Sequence, residues 1–289
     1  MKILSTADWH IRSTVPGCLD MSVSDWMDFQ RDSLNRVAEI ADEHKVDEVD
    51  IGGDLLHSEQ TASFECVYMI QDFFRLMNSL GIPVRIMAGN HDLIHHSSSN
   101  IYRSAIGVLL NSKYVLPMDG TVKGCNFDID DYGSSKYIFK HVLTVPSRDK
   151  PDFLECETPE SLLLRYPDAM IIFTGDYHRR FEHHDGERHV FNSGCLTRQA
   201  SDFEDYSPGV YVVDLEDGSS EFVEIGLAQK FNHNGQEKKD INEAVENFVA
   251  GIKKENVTLD FVGSLRNEVK NHEKDIQNRV GDWIERSGN

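Results

Sequence analysis

Residues 51–57 read Ile-Gly-Gly-Asp-Leu-Leu-His, and this stretch decides the fold. A short apolar run, residues 49–51, leads into it and predicts a buried strand. The two glycines that follow allow a tight turn and a close approach of the backbone to whatever lies beyond the strand end. In an open α/β sheet, ligands gather at the carboxyl ends of the strands. Asp54 is therefore delivered to a position where it could hold a cation.

The first ninety residues alternate between strand and helix patterns. Apolar runs predict strands at 2–7, 49–51 and 84–88, and helical spacing of apolar residues predicts helices at 25–44 and 61–80. Ser24 is the expected N-cap of the first helix, and Gly81 with Pro83 ends the second. Strand, helix and strand joined by short connections indicate a parallel sheet of the α/β class.

The second half of the chain is richer in strands. A helix is expected near 99–111, and apolar runs predict strands at 137–139, 170–173, 188–192, 209–215 and 220–226. The last three strands have no helix pattern between them, so we expect them to pair antiparallel. The fold class predicted from both halves is α/β, with two sheets forming a β-sandwich that is flanked by helices.

The pattern changes again near residue 231. Residues 232–236 are polar and turn-rich, and helices near 240–254 and 264–286 with a strand near 256–261 are expected beyond them. These features predict a main domain at 1–230 and a small α/β C-terminal appendage at 231–289. The last helix carries an apolar stripe that either packs on the body of the protein or accepts a partner helix.

Composition places the chain among globular proteins of a reducing compartment. Hydrophobic residues make up 39% of the sequence, and no apolar run approaches the roughly 20 residues that a membrane helix needs. The N-terminus lacks the layout of a signal peptide. The five cysteines are scattered without a Cys-x-x-Cys pair, so a disulfide framework and a thiolate zinc site are not expected. We therefore expect a cytoplasmic protein without membrane contact.

The net charge of −20 limits the modes of nucleic-acid binding. Residues 231–289 hold 9 Lys and Arg against 11 Asp and Glu, whereas the other residues hold 20 against 38. A protein that grips nucleic acid by itself usually shows a basic stripe, because neutralisation of phosphates supplies much of the affinity. Bound divalent cations, or a basic partner, would have to offset this charge if the substrate is DNA.

Metal-ligating side chains follow five predicted strand ends. Carboxylate, imidazole and amide groups suit a hard or borderline divalent ion such as manganese, magnesium, iron or zinc. The number of groups exceeds what one tetrahedral ion needs, and two ions that share Asp54 would use them. Two such ions, roughly 3.5–4 Å apart, can clamp a phosphoryl group and activate a water. The candidate residues are Asp8, His10, Asp54, His57, Asn90, His91, His141, Asp176 and His178.

These motifs, in this order along residues 8–178, resemble those of the calcineurin-like metallophosphoesterases. The resemblance implies one metal held by Asp8, His10, Asp54 and His178, and a second held by Asp54, Asn90, His141 and the residue at position 176. It also implies that His91 donates a proton to the leaving group, or stabilises its charge, and that Asp92 orients His91.

The longer stretch Gly52–His57 resembles that of SbcD-type and Mre-type nucleases and their phage recombination counterparts. By this resemblance, His57 contacts the scissile phosphate, and the loop 192–198 is similar to a glycine–serine loop of those enzymes. The resemblance implies a DNA exonuclease or endonuclease for repair or recombination that uses two divalent metals, foremost manganese. It also implies an SbcC/Rad-type ABC ATPase partner that docks on the C-terminal appendage, and it makes a homodimer possible.

The motif at position 176 departs from the family pattern. The family usually has Gly-His-x-His, whereas this chain has Gly175-Asp176-Tyr177-His178. Aspartate either holds the same metal, with a preference for a harder ion, or weakens the second site.

Other polar residues lie near the predicted site loops, and they are not predicted to be metal ligands. Arg179 and Arg180 are expected to meet a substrate phosphate or to balance nearby acid. His183, His184 and His189 are expected to be exposed on a hairpin turn at 182–188.

Two other functions remain open. One is a phosphodiesterase or phosphatase for small substrates such as cyclic nucleotides or for phosphoproteins. The other is a non-catalytic subunit whose second metal site is impaired by Asp176. The fold alone does not distinguish between these functions, because one fold can host many substrates.

Overall fold

A computed structural model of the chain describes residues 1–58, 62–94, 98–118, 136–150, 156–200 and 203–232, with only the backbone of 98–100. All of these residues belong to one compact unit, Met1–Asn232. The helices are α1 Val23–Glu43, α2 Phe64–Ser79, α3 Ala105–Leu110 and α4 Pro159–Arg165, with short 3-10 helices at Asn90–Asp92 and Ser98–Arg103. The strands are β1 Lys2–Thr6, β2 Glu48–Ile51, β3 Val84–Ile86, β4 Leu116–Pro117, β5 Tyr137–His141, β6 Ile171–Gly175, β7 Phe181–Asp185, β8 Arg188–Asn192, β9 Gly209–Asp214 and β10 Ser220–Glu224.

The strands form two sheets. The first sheet has the order β10-β9-β1-β2-β3-β4, and its half from β1 to β4 is parallel. The second sheet has the order β5-β6-β8-β7, with parallel pairs β5–β6 and β6–β8. The predicted α/β fold with two sheets and flanking helices is confirmed.

The core has an inter-sheet layer and a helix layer. Aromatic and aliphatic side chains from both sheets meet between them, with Phe139 stacked on Phe173 at a centroid distance of 4.5 Å. The other face of the first sheet packs on α1 and α2, whose buried stripes include Leu34, Val37 and Phe74. Burial of these stripes stabilises helices whose own propensity is modest.

The N-cap of α1 differs from the prediction. The Ser22 hydroxyl, and not that of Ser24, accepts the backbone N–H of Asp25 at 3.1 Å. Ser22 has an extended backbone conformation, which points its hydroxyl at the unpaired N–H groups of the first turn. Ser24 already lies within the helix.

Three further differences concern the second half. The helix predicted at 99–111 is divided at Ser104 into a 3-10 helix and α3. Strand β8 does not join β9: it lies in the second sheet, parallel to β6 and antiparallel to β7. The elements α4, β4 and β7 were not predicted, because each is short and carries no clear period in the sequence.

Several predictions fall outside the described residues or are limited by them. The appendage at 231–289 lies outside them apart from Phe231 and Asn232, so its domain boundary stays a prediction. Within the described part of the chain, no disulfide joins the cysteines Cys18, Cys66, Cys156 and Cys195. None of the helices in the described part of the chain has the length and apolarity needed to cross a membrane.

The predicted hairpin at 182–188 is formed by β7 and β8. Its histidines are less exposed than expected. His184 is exposed, but His183 and His189 have side chains only 28% and 19% exposed. His183 lies beside Glu160, and the ring of His189 stacks on Phe191.

Candidate metal centre

The predicted metal ligands come together at one end of the sandwich. Asp8 and His10 follow β1, Asp54 follows β2, and Asn90 follows β3. His141 ends β5 in the second sheet, and Asp176 with His178 follows β6. The carboxyl ends of parallel strands thus supply the site from both sheets. The loops are joined directly, since the N–H of Asp8 donates to the Gly53 carbonyl and that of His10 to the Asp54 carbonyl, each at 3.0 Å.

The backbone of these loops is strained. Asp8, His10, Asp54 and Asp176 have φ angles of 52°, 47°, 53° and 79°, in the left-handed region that L-residues seldom adopt. Each such residue costs roughly 1–2 kcal/mol, somewhat less for aspartate. Such strain persists where the surrounding hydrogen bonds fix the conformation, and it is concentrated at functional sites.

Three overlapping clusters of side chains could hold a metal ion. In each cluster one ligand atom from every residue lies within 4.8 Å of the others. Asp8 and Asp54 have no exposed surface and His10 is 3% exposed. Buried charges of this kind are usually paired or coordinate metals. The clusters are Asp8 with His10 and His178, His10 with Asp54 and His91, and Asp8 with Asp54 and His141.

Asp54 has a carboxylate oxygen that the protein leaves unsatisfied. Its Oδ1 accepts the backbone N–H of His91 at 2.9 Å. Its Oδ2 is buried and has no hydrogen-bond partner among the described residues, although His141 Nε2 lies 3.3 Å away and His10 Nε2 3.7 Å away. A buried acceptor between two imidazoles calls for a cation. The donor set therefore fits divalent metal ions, and Asp54 would be among their ligands because it belongs to two of the three clusters.

His141 is oriented for ligation by its other nitrogen. Its Nδ1–H donates to the Gly52 carbonyl at 2.7 Å, which turns Nε2 toward the Asn90 amide oxygen at 3.0 Å. This is the arrangement by which proteins fix the tautomer of a metal-binding histidine. Burial opposes a charge on His141, but the Asp54 and Asp8 carboxylates outweigh it and raise its pKa to about 10. The surroundings thus favour a positive charge at this place.

His10 and His178 meet on the other side of Asp54. Their Nε2 atoms lie 2.9 Å apart. Burial lowers the pKa of both rings, that of His10 well below its usual value, so both favour the neutral form. Neutral imidazole is the form that binds metal.

His91 is held by a contact that was not predicted. Its Nδ1 donates to the His57 carbonyl at 2.7 Å, and its ring centroid lies 4.9 Å from that of His10. Asp92 was expected to orient His91, but its described hydrogen bonds go elsewhere. Its carboxylate accepts the backbone N–H groups of Leu55, Leu56 and Gly89 at 2.9–3.2 Å. Asp92 therefore fixes the loop after β2 against the loop after β3.

Asp176 contributes its backbone more clearly than its side chain. Its N–H donates to both carboxylate oxygens of Asp8, at 3.0 and 3.1 Å. Among the described residues, its carboxylate belongs to none of the three metal-ligand clusters. That it holds the second metal stays a prediction.

A pocket of about 180 Å³ opens over the metal-ligand clusters. We call it the site pocket, and its lining includes His57, which lies beside Arg12 with His57 Nε2 and Arg12 Nη1 3.0 Å apart. Burial, and then the Arg12 charge, lower the pKa of His57 to about 4. The site pocket is lined by His10, Arg12, His57, His91, His178, Cys195, Thr197, Gln199, Ala200 and Phe203.

Arg12, Gln199 and Phe203 were not singled out from the sequence. The Gln199 amide donates to the His10 carbonyl at 3.1 Å, and no described residue forms a hydrogen bond with its buried Oε1. The position of Arg12, two residues after His10 at the same strand end, was a usable signal. Gln199 and Phe203 lie almost 200 residues further along the chain, and no sequence signal linked them to the site.

The predicted substrate-binding arginines lie beside the site pocket without lining it. Arg179 stacks over the Phe203 ring at 4.9 Å and pairs with Asp205 at 3.6 Å. Arg180 lies over the Phe222 ring at 4.0 Å. Packing and charge balance are the roles that this placement favours.

The loop 192–198 supports the last metal histidine. The buried Asn192 amide donates to the carbonyls of Tyr177 and Arg179 at 2.6 and 2.9 Å. The N–H of Cys195 donates to the His178 carbonyl at 3.0 Å. His178 is thus positioned from both sides by β8 and its following loop.

Comparison with known proteins yields one family and several structural neighbours. The sequence model of the calcineurin-like phosphoesterases matches residues 1–196. A Thermus thermophilus protein is 13% identical, with a TM-score of 0.46 over 78% of this chain and 98% of that chain. An archaeal phosphodiesterase is 15% identical, with a TM-score of 0.42 over 78% of this chain and 99% of that chain. A dimetal phosphatase from Danio rerio is 11% identical, with a TM-score of 0.45 over 73% of this chain and 91% of that chain. The family match spans every predicted metal ligand.

Proposed function

The chain belongs to the calcineurin-like phosphoesterase family, and from that premise we propose that it is a metal-dependent DNA nuclease. Members of the family are hydrolases that bind two divalent metal ions, and the candidate ligand groups for such ions are present. The nuclease assignment rests on the stretch Gly52–His57, which resembles that of the SbcD-type and Mre-type enzymes. Its contribution to the site is His57, which lines the site pocket above the ligands.

The observation that carries the proposal is the unsatisfied Oδ2 of Asp54 between His10 and His141. In the proposed site, Asp8, His10, Asp54 and His178 would hold one metal, and Asp54, Asn90 and His141 would hold the other, with Asp176 as a further predicted ligand. When bound, such ions supply Lewis-acid stabilisation of the phosphoryl oxygens and activate the attacking water. Manganese is the foremost candidate, and magnesium, iron and zinc are the alternatives.

A side chain of the protein supplies the proton that the leaving oxygen needs. The His57 carbonyl holds Nδ1–H of His91, so Nε2 is the atom available to donate a proton to the leaving sugar oxygen. Departure of that oxygen as a hydroxyl completes cleavage of the phosphodiester. Burial of the ligands excludes bulk water from this region, which strengthens each electrostatic interaction.

We propose a repair or recombination complex as the setting. The acidic chain needs help to hold DNA, and an SbcC/Rad-type ABC ATPase that docks on residues 231–289 would supply it. A homodimer and a cytoplasmic location belong to the same proposal. The direction of cleavage, and whether it starts at an end, are read from the products in the experiment below.

The test is manganese-dependent digestion of linear single-stranded and double-stranded DNA. Wild type is compared with Asp54→Ala, which removes the shared ligand, and with His91→Ala, which removes the proton donor. We expect digestion by wild type and at least a 100-fold loss of rate in both variants, with metal binding reduced in Asp54→Ala. Turnover of bis-p-nitrophenyl phosphate without DNA digestion would indicate a small-substrate phosphodiesterase. Fewer than two manganese ions per wild-type chain, with no turnover, would indicate a non-catalytic subunit.

A further inference from the structure

The site pocket contains one permanent cation, and no metal-ligand motif accounts for it. Among the described lining residues, Arg12 is the only lysine or arginine. The chain carries a net charge of −20, so a guanidinium beside four histidines of the centre is not explained by a generally basic surface.

The backbone of Arg12 is fixed by two buried side chains of α1. The N–H of Arg12 donates to Gln30 Oε1 at 2.9 Å, and its carbonyl accepts the Gln30 amide at 2.9 Å and the Trp26 indole N–H at 3.0 Å. Neither Gln30 nor Trp26 has any exposed surface. Burying these polar groups is tolerated because they are paired with Arg12. The position of residue 12 is therefore determined by the fold.

The guanidinium is also fixed in direction. Its Nε donates to the carbonyl and the hydroxyl of Thr14 at 2.9 and 3.0 Å, and its Nη1 donates to His57 Nε2 at 3.0 Å. Arginine has no acceptor and keeps its proton, so Nε2 of His57 must be the acceptor in this bond. The His57 ring is then neutral, with its hydrogen on Nδ1. The positive charge on this side of the site pocket belongs to Arg12.

We propose that Arg12 binds an oxygen of the same phosphate group that the metal centre holds. A guanidinium presents its N–H groups in a planar fork that matches phosphate, and it is less strongly hydrated than an ammonium group. Held in advance by Thr14 and His57, it loses little conformational entropy on binding. This contact selects a phosphate ester as the substrate class, and the phosphodiester follows from the proposed function on which the inference rests.

The test measures phosphate binding apart from turnover. Manganese-loaded wild type, Arg12→Ala and Arg12→Lys are titrated with inorganic phosphate by calorimetry, and the manganese content of each is counted. The control is Arg31→Ala, which removes an equal charge from an exposed pair with Asp28 on α1. Kinetics on bis-p-nitrophenyl phosphate are measured for the same four proteins.

We expect Arg12→Ala to weaken phosphate binding and raise KM about 10- to 100-fold, with kcat changed less than about threefold and two manganese ions retained. Arg12→Lys should be intermediate, because it keeps the charge and loses the fork. Arg31→Ala should match wild type.

Two results would overturn the inference. One is a fall in kcat of Arg12→Ala with phosphate affinity and KM unchanged, which would mean that Arg12 only orients His57. The other is a wild type that does not bind phosphate. A wild type that binds phosphate through Arg12 but cleaves neither DNA nor bis-p-nitrophenyl phosphate would remove the proposed function and leave this inference standing.

Discussion

Two buried aspartates lie four residues apart, and their surroundings give them opposite properties. Asp54 faces the imidazoles of His10 and His141, which, against the effect of burial, hold its pKa below the usual range. Asp50, in β2, is fully buried, and neither of its carboxylate oxygens has a hydrogen-bond partner in the part of the chain that the structure describes. Burial, and then the charge of Glu48, raise the pKa of Asp50 well above its usual value, and Arg85 opposes this only in part. The surroundings therefore favour the ionised form of Asp54 and the neutral form of Asp50.

Asp50→Asn should remove a pH-dependent loss of stability. Because the pKa of Asp50 is higher in the folded protein, the unfolded chain loses this proton first, so the free energy of unfolding falls as pH rises above about 4. The asparagine variant should equal wild type near pH 4 and be more stable by about 1–3 kcal/mol at pH 8. Urea unfolding of both proteins in EDTA would measure this, with the exposed Asp28→Asn as control. Parallel pH curves for wild type and Asp50→Asn would contradict it.

Asp176→His should strengthen the weaker metal site. The carboxylate of Asp176 belongs to no described ligand cluster, whereas the family pattern has histidine at this position. Manganese titration should give one tight and one weak site in wild type, with the weak one tightened about tenfold in the variant. Asp176→Ala is the matched control and should leave both wild-type affinities within about threefold. Loss of one manganese ion in that control would show instead that Asp176 is a ligand.

At the scale of elements, the site depends on close contact between the loops after β2 and β3. A Cβ added at Gly89 would lie 2.5 Å from the backbone nitrogen of Asp54 and would also collide with its Oδ1. A Cβ added at Gly52 would lie 3.4 Å from Cβ of Ala7, an ordinary contact. Asp92, in the loop after β3, holds the loop after β2 through the backbone N–H groups of Leu55 and Leu56, and accepts that of Gly89 within its own loop. Gly52 therefore has room for a Cβ and Gly89 does not, although both lie close to candidate metal ligands.

Gly89→Ala should displace Asp54, and Gly52→Ala should not. We expect Gly89→Ala to lower manganese affinity at least tenfold and to destabilise the protein by about 1–3 kcal/mol. Gly52→Ala should keep manganese affinity and change stability by less than about 1 kcal/mol. Calorimetric titration and thermal unfolding of both variants would measure these effects. Equal manganese affinity in the two variants would show that the loop contact does not position Asp54.

How far the sequence predicts this structure depends on the length of each element and the distance of its partners along the chain. Helix α1 and strands β1 to β3 follow from periodicity and strand-end motifs, because neighbouring residues carry the signal. The pairing of β8 with β6 and β7 was not predictable, since it depends on which sheet buries Phe191. The candidate metal ligands were found because each lies at the end of a strand or shortly after it, whereas Gln199 reaches the site only through tertiary folding. The contact of His91 with the His57 carbonyl has no sequence signal.

For the whole molecule, charge sets the limit on substrate binding. The net charge of −20 repels a polyanion, and the described cations near the site pocket are few. Arg179 is paired with Asp205, and Arg180 lies over an aromatic ring. Two divalent ions would offset only a small part of the charge. Local attraction at the metal centre therefore has to act against long-range repulsion, which salt screens beyond about 10 Å.

The isolated chain should bind duplex DNA weakly. We expect a Kd no tighter than about 1 µM near 150 mM salt, because few phosphates can be neutralised by its own side chains. For the same reason, the logarithm of the affinity should depend only shallowly on the logarithm of the salt concentration. Fluorescence anisotropy with a labelled duplex, manganese and His91→Ala, so that the DNA stays intact, would measure both quantities. Nanomolar affinity with a steep salt dependence would reveal a basic DNA-binding surface and remove the main reason for proposing an ATPase partner.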